Sequence, residues 1–105
     1  MIVVIFEVAI NPDKGERYFE LTGELSKELE TIDGFLSIER FQSLNDKDKY
    51  VSLSFWRDRD AVEAWYQKPD HREAQREGRD GVFLDYRIRV ADVLRDYDMA
   101  QGRPA

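Results

Sequence analysis

The sequence predicts an α+β fold of the ferredoxin-like kind, in the order β-α-β-β-α-β. It is a four-stranded antiparallel sheet with two helices on one face. Three observations predict it. Four stretches read as strands, with successive residues assigned to opposite faces, the first of them apolar on both faces but for one residue. One long stretch repeats its apolar residues every three or four positions, as a helix packed on one side does. A short polar turn, Asn45-Asp46-Lys47-Asp48, joins the two middle strands, which makes them an antiparallel hairpin.

Residues 1–10 form the first strand, with Ile2, Val4, Phe6 and Val8 on one face and Val3, Ile5, Glu7 and Ala9 on the other. Both faces are apolar except at Glu7, so both are expected to be covered. Asn11-Pro12-Asp13 is a turn and cap, and Asp13 with Glu16 has capping-box spacing. The first helix follows, to about Thr31. Tyr18, Leu21, Leu25, Leu29 and Ile32 make its buried stripe, and its glutamates and Lys27 make a solvated face. Asp33-Gly34 ends it, because glycine adopts the positive φ of a helix terminus without strain.

The second strand is expected over 35–44 and the third over 49–57. On the third, Val51, Leu53 and Phe55 face one way and Tyr50, Ser52, Ser54 and Trp56 the other. A broken helix spans about 59–78, capped by Asp58 or Asp60. Pro69, which lacks an amide proton, interrupts and restarts it. The last strand runs over 82–94, with a bulge expected near its end. Residues 1–98 read as one domain and 99–105 as a loose tail. Two helices cover one sheet face and nothing in the chain covers the other. A symmetric homodimer packed sheet on sheet is therefore expected.

Composition narrows the function. A chain of 105 residues, 42% hydrophobic and 36% charged, has the balance of a folded single domain. Its net charge of −6 argues against nucleic acid or an anionic membrane as a partner held by bulk charge. With no cysteine, disulfides, thiolate metal sites and cysteine catalysis are excluded, and a single histidine excludes a multi-histidine metal site within one chain. No apolar run approaches the roughly 20 residues of a membrane helix. Met1 opens onto a strand without a basic leader, so a cytoplasmic protein is expected.

The chemistry is expected around residues 55–74, where Trp65 and the sole histidine, His71, flank the helix break. Imidazole titrates near neutrality and can take or hold a proton. An indole can stack on a flat ring and donate from its nitrogen. Each also has a plainer reading: Trp65 as core, and His71 as a surface residue at a helix start.

The stretch F-W-R-D-R-D-A-V-E-A-W-Y-Q-K-P-D-H-R-E-A-Q, with the later strand D-Y-R-I-R-V-A-D-V-L-R-D-Y, resembles the antibiotic biosynthesis monooxygenase (ABM) family of dimeric α+β barrels. The resemblance spans Ile2 to Tyr97. It implies a ligand cavity between sheet and helices, with Trp65 matching the helix tryptophan shared by the aromatic-oxygenase and haem-degrading branches. Gln75 stands where the haem-degrading branch has its axial histidine, and Phe6 and Glu7 stand nearest that branch's strand-one asparagine. In the aromatic-oxygenase branch a tyrosine matches His71, an asparagine matches Ala61, and a last-strand arginine matches Arg87.

Trp65 and His71 are accordingly the candidate catalytic residues, and Phe6, Glu7, Phe83 and Arg87 the candidate substrate-binding residues. The expected activity is a cofactor-independent monooxygenase acting with dioxygen on a small aromatic or quinol-type molecule. Haem degradation, with haem as substrate or ligand, is the enzymatic alternative. A non-catalytic dimer that binds a small apolar molecule is the other. Arg87 and Arg89 also read as ion-pair partners of nearby carboxylates, and Phe6 and Phe83 as core. Trp65 and His71 decide between the classes: an enzyme is favoured if both reach one cavity, and a binding module if His71 lies on the surface.

Overall fold

A computed structural model describes residues 1–103, apart from the Asp70 side chain. The expected tail thus falls partly outside the described residues, at Pro104 and Ala105. Strands β1 (Ile2–Ile10), β2 (Phe35–Gln42), β3 (Lys49–Trp56) and β4 (Phe83–Asp92) form one sheet in the order β2-β3-β1-β4, with every neighbouring pair antiparallel. Helices α1 (Gly15–Leu29), α2 (Arg59–Tyr66) and α3 (Pro69–Glu77) complete the ferredoxin-like arrangement. Among the described residues, no helix is long and apolar enough to cross a membrane.

The start of α1 differs from the Asp13–Glu16 expectation. A single 3₁₀ turn, Pro12–Lys14, precedes it, and the Asn11 side chain accepts from the Asp13 amide at 3.1 Å. Asn11 also donates to the Gly81 carbonyl at 3.1 Å, tying the end of β1 to the turn before β4. Here the more local hydrogen bond wins: an asparagine oxygen reaches the amide two residues on without needing a helix. The expected α1 stripe is buried at Tyr18, Leu21 and Leu29.

The helix break forms as the proline requires. Asp58 caps α2 by accepting from the Ala61 amide at 2.9 Å. Lys68 is extended, with φ −65° and ψ 131°, as a residue before proline is driven to be. Pro69 then opens α3, where its missing amide proton costs nothing. After α3 the chain turns through 78–82 into β4, with Gly81 at φ 133°.

The bulge lies at the beginning of β4, not near its end. Ala9 pairs with Asp85 but Ile10 pairs with Phe83, so the register slips between them. Phe83 is thereby turned to the same face as Ile10, Val8 and Phe6. Arg87, paired with Glu7, is on the opposite face.

Two buried clusters lie between the sheet and the helices. Ile2, Leu29, Ile32, Trp56, Ala61, Val62 and Trp65 form one; Val8, Ile10, Tyr18, Leu21, Ala74 and Val82 form the other. Leu25 packs against both, so the clusters meet over the middle of α1. The far sheet face carries Val3, Ile5, Ala9, Val51, Leu53 and Phe55, all only partly buried. Glu7 and Arg89 form a cross-strand pair among them at 3.2 Å.

Gly34 holds the α1–β2 turn against α2. Its φ is +93°, and a Cβ placed there would lie 2.7 Å from the Ala61 Cβ. Its carbonyl accepts from the Arg57 amide at 2.7 Å. Gly34→Ala combines left-handed strain with this clash and is expected to cost about 2 kcal/mol or more. Urea unfolding would check it; a midpoint equal to that of the parent protein would mean the turn relaxes freely.

Candidate functional site

Between the two clusters, against the helix-facing side of the sheet, lies a mainly apolar cavity of about 100 Å³. The sequence makes room for it in two ways. β3 presents Ser52 and Ser54 at the centre of its helix-facing row, where larger residues would fill the space. The break between α2 and α3 interrupts the helical cover above. Val4, Phe6, Leu25 and Ile38 line the middle of the space.

Trp65 and His71 both line this cavity, from either side of the break. Their rings meet edge to face, with centroids 4.5 Å apart and planes at 61°. The Tyr66 ring also packs beside the imidazole, with centroids 5.1 Å apart. Trp65 is held in turn by Trp56, at 6.3 Å between centroids. Trp56 is 1% exposed, and its indole nitrogen donates to the Ser54 hydroxyl at 2.9 Å. The surface reading of His71 is thus corrected: the residue is 9% exposed.

Neither imidazole nitrogen of His71 has a hydrogen-bond partner among the described residues. Burial without a partner disfavours the charged ring and pushes its pKa down to about 4. At neutral pH the cavity therefore holds a neutral imidazole, with one nitrogen able to accept a proton and the other able to donate. Burial also raises the pKa values of Tyr18 and Tyr66.

Of the residues expected to bind substrate, Phe6 and Phe83 line the cavity, with ring centroids 5.7 Å apart. Gly78 permits this position of Phe83, whose ring occupies the space a Cβ would take. Glu7 and Arg87 are not there. Phe6 and Glu7 are successive residues of one strand, so they point to opposite faces. Arg87 pairs with Glu7 and shares its face. Arg40, absent from the expected set, does line the cavity, together with Thr22, Gln75 and Ser52, its pairing partner on β3. The available signal was parity: Arg40 falls on the same row as Ile38, facing the helices. Among the described residues, no group of three or more His, Asp or Glu side chains is placed to hold a metal ion.

The sequence model for antibiotic biosynthesis monooxygenases matches residues 1–77. The chain belongs to the antibiotic biosynthesis monooxygenase family. It is 41% identical over 93 residues to "Jasmonate monooxygenase ABM" of Pyricularia oryzae, a match covering 89% of this chain and 43% of that protein. The chain thus spans less than half the length of that relative. In structure it is similar to a putative antibiotic biosynthesis monooxygenase from Deinococcus radiodurans, with TM-score 0.85, 12% identity, and 94% and 98% of the two chains covered. It is also similar to SnoaB, a cofactor-independent oxygenase from Streptomyces nogalater, with TM-score 0.79, 12% identity, and 90% and 94% covered. At these identities the two structures show the shared fold.

The pKa of His71 links its burial to stability. The unfolded imidazole takes up a proton near 6.5 and the folded one near 4. Between those values the unfolded state holds more protons, so stability falls as pH falls from about 6.5 towards 4. Above that window His71 makes stability no more pH-dependent. His71→Phe is expected to flatten this part of the profile, by up to about 1.4 kcal/mol per pH unit. Urea unfolding of both proteins between about pH 4 and 7 would check it; parallel profiles would mean the folded imidazole protonates freely.

Proposed function

We propose that the chain is a cofactor-independent monooxygenase acting on a small aromatic or quinol-type molecule, with Trp65 and His71 as its catalytic residues. The single observation that carries this reading is the cavity wall they share, where a neutral, unpartnered imidazole stands against an indole. Family membership and the likeness to a cofactor-independent oxygenase support it.

Such chemistry needs a substrate that can itself give up an electron. His71 accepts the proton of a phenol, and the imidazolium formed beside the phenolate is stabilised by that new charge. The phenolate passes one electron to dioxygen, the two radicals join to form a carbon–oxygen bond, and the imidazolium returns its proton to the resulting peroxide. Loss of water then leaves a quinone carbonyl. One oxygen atom of O₂ ends in the product and the other in water, which carries away the two hydrogens lost by the substrate. Trp65 stacks against the ring, and the apolar lining keeps bulk water from the anion.

The size of the site favours this reading over haem degradation. The cavity of about 100 Å³ is smaller than the roughly 150 Å³ that holds a benzene, so a single ring enters only as the lining opens somewhat. A porphyrin is far larger, and the wall position matched to the haem branch's axial ligand holds Gln75, whose amide is a poor iron ligand.

Oxygen uptake with hydroquinones, simple phenols and jasmonate, followed by labelled-oxygen analysis of the product, tests the activity. His71→Ala is expected to lower the rate by about a hundredfold or more while the fold persists. An unchanged rate would remove the histidine from the chemistry, and no uptake with any panel member would remove the oxygenase reading.

We also propose that the working form is a homodimer joined through the far sheet face. Val3, Ile5, Val51, Leu53 and Phe55 form an apolar surface there that a second sheet would bury. Sedimentation at micromolar concentration is expected to give a dimer; a monomer would leave that face to some other partner.

A further inference from the structure

Arg40 is the cation in the cavity lining. Among the described residues, Arg40 and Arg17 are the half-buried arginines, the others being exposed, and the two differ in their partners. Arg17 holds Glu20, Glu24 and Glu77; Arg57 holds Asp33 and Asp58; Arg89 holds Glu7. Among the described residues, Arg40 makes no ion pair. Its one direct side-chain hydrogen bond goes from Nη1 to the Ser26 hydroxyl oxygen, at 3.0 Å. That hydroxyl donates its own proton to the Thr22 carbonyl at 2.8 Å, so it turns a lone pair to the guanidinium and fixes its position. The remaining N–H groups of the planar fork have no protein acceptor among the described residues.

A chain with 22 acidic residues does not lack carboxylates. Yet this half-buried cation borders an apolar space. Partial burial lowers the pKa of Arg40, which is the mark of a charge not fully compensated, although a guanidinium stays protonated. An anion entering from the cavity would restore the missing compensation, and the apolar lining would strengthen the attraction. The fork geometry fits a planar, two-oxygen group best.

We propose that Arg40 is the anion-binding residue of the cavity, and that the substrate carries a carboxylate on an otherwise apolar body. The inference rests on reading the cavity as the substrate site. Arg40 reaches the cavity from the edge strand β2, beside α1, and His71 reaches it from α3. The two therefore engage a substrate from different walls: Arg40 orients the acid group, and His71 meets the ring that reacts.

The test is calorimetric binding of phenylacetate and of 2-phenylethanol, which share a ring and chain length and differ in the carboxylate. The parent protein is expected to bind phenylacetate about tenfold more tightly, or better. Arg40→Gln is expected to abolish that preference, weakening phenylacetate binding far more than alcohol binding. Arg40→Lys, which keeps the charge but loses the fork, is expected to retain only part of it. That variant decides the matter if Arg40→Gln does not fold.

Equal binding of the two probes by the parent protein would overturn the role of Arg40 while leaving the apolar cavity as a ligand site. A preference that survives both substitutions would do the same. Failure of both probes to bind would overturn this inference and the cavity reading together. Carboxylate preference without oxygen uptake on any panel member would overturn the oxygenase reading and leave the anion site standing.

Discussion

A run of aromatic rings connects the sheet to the candidate site, and the site depends on it. Trp56 is fixed at the sheet by burial and by its bond to Ser54. It packs on Trp65, and Trp65 packs on His71. Each ring limits the rotamers of the next, so the imidazole is positioned without a hydrogen bond of its own. That matters chemically. A histidine held by a carboxylate would be in place but already engaged, whereas one held by packing keeps both nitrogens open to a ligand.

The same packing has a cost that the fold tolerates locally. Two buried, unpaired imidazole nitrogens are unfavourable in the free protein, and a half-buried guanidinium without a carboxylate stands beside them. Both border one cavity, between two well-filled clusters that supply the compensating apolar burial. A ligand that reached the imidazole nitrogens from the cavity would offset that cost. On the outer surface of the helices the opposite arrangement holds: Arg17 joins α1 to α3 through Glu77, where its Nη2 donates at 2.8 Å.

Much of the site was legible in the residues, and the errors have identifiable physical sources. Trp65 and His71 could be placed because a proline break fixes where the helices part and which side chains flank it. Glu7 was misplaced against a signal already present, since strand alternation puts it opposite Phe6. Arg87 was misplaced for a less visible reason. It has the same parity as Phe83 in sequence, and only the register slip beside Ile10 sends the two to opposite faces. Arg40 was missed because a charged residue on an edge strand usually faces water. Its inward position becomes meaningful only once Ser52, Ser26 and the cavity are assembled around it.

The sequence by itself determined the element order, the breaks at Gly34 and Pro69, and the apolar stripe of α1. These follow from backbone sterics and side-chain periodicity, which act over a few residues. The tertiary structure decided where the bulge falls, that His71 is buried without a partner, and that Arg40 rather than Arg87 enters the cavity. Those outcomes depend on strand register and on contacts between residues far apart in the chain. One residue of slip reverses a whole face, and no local preference encodes it.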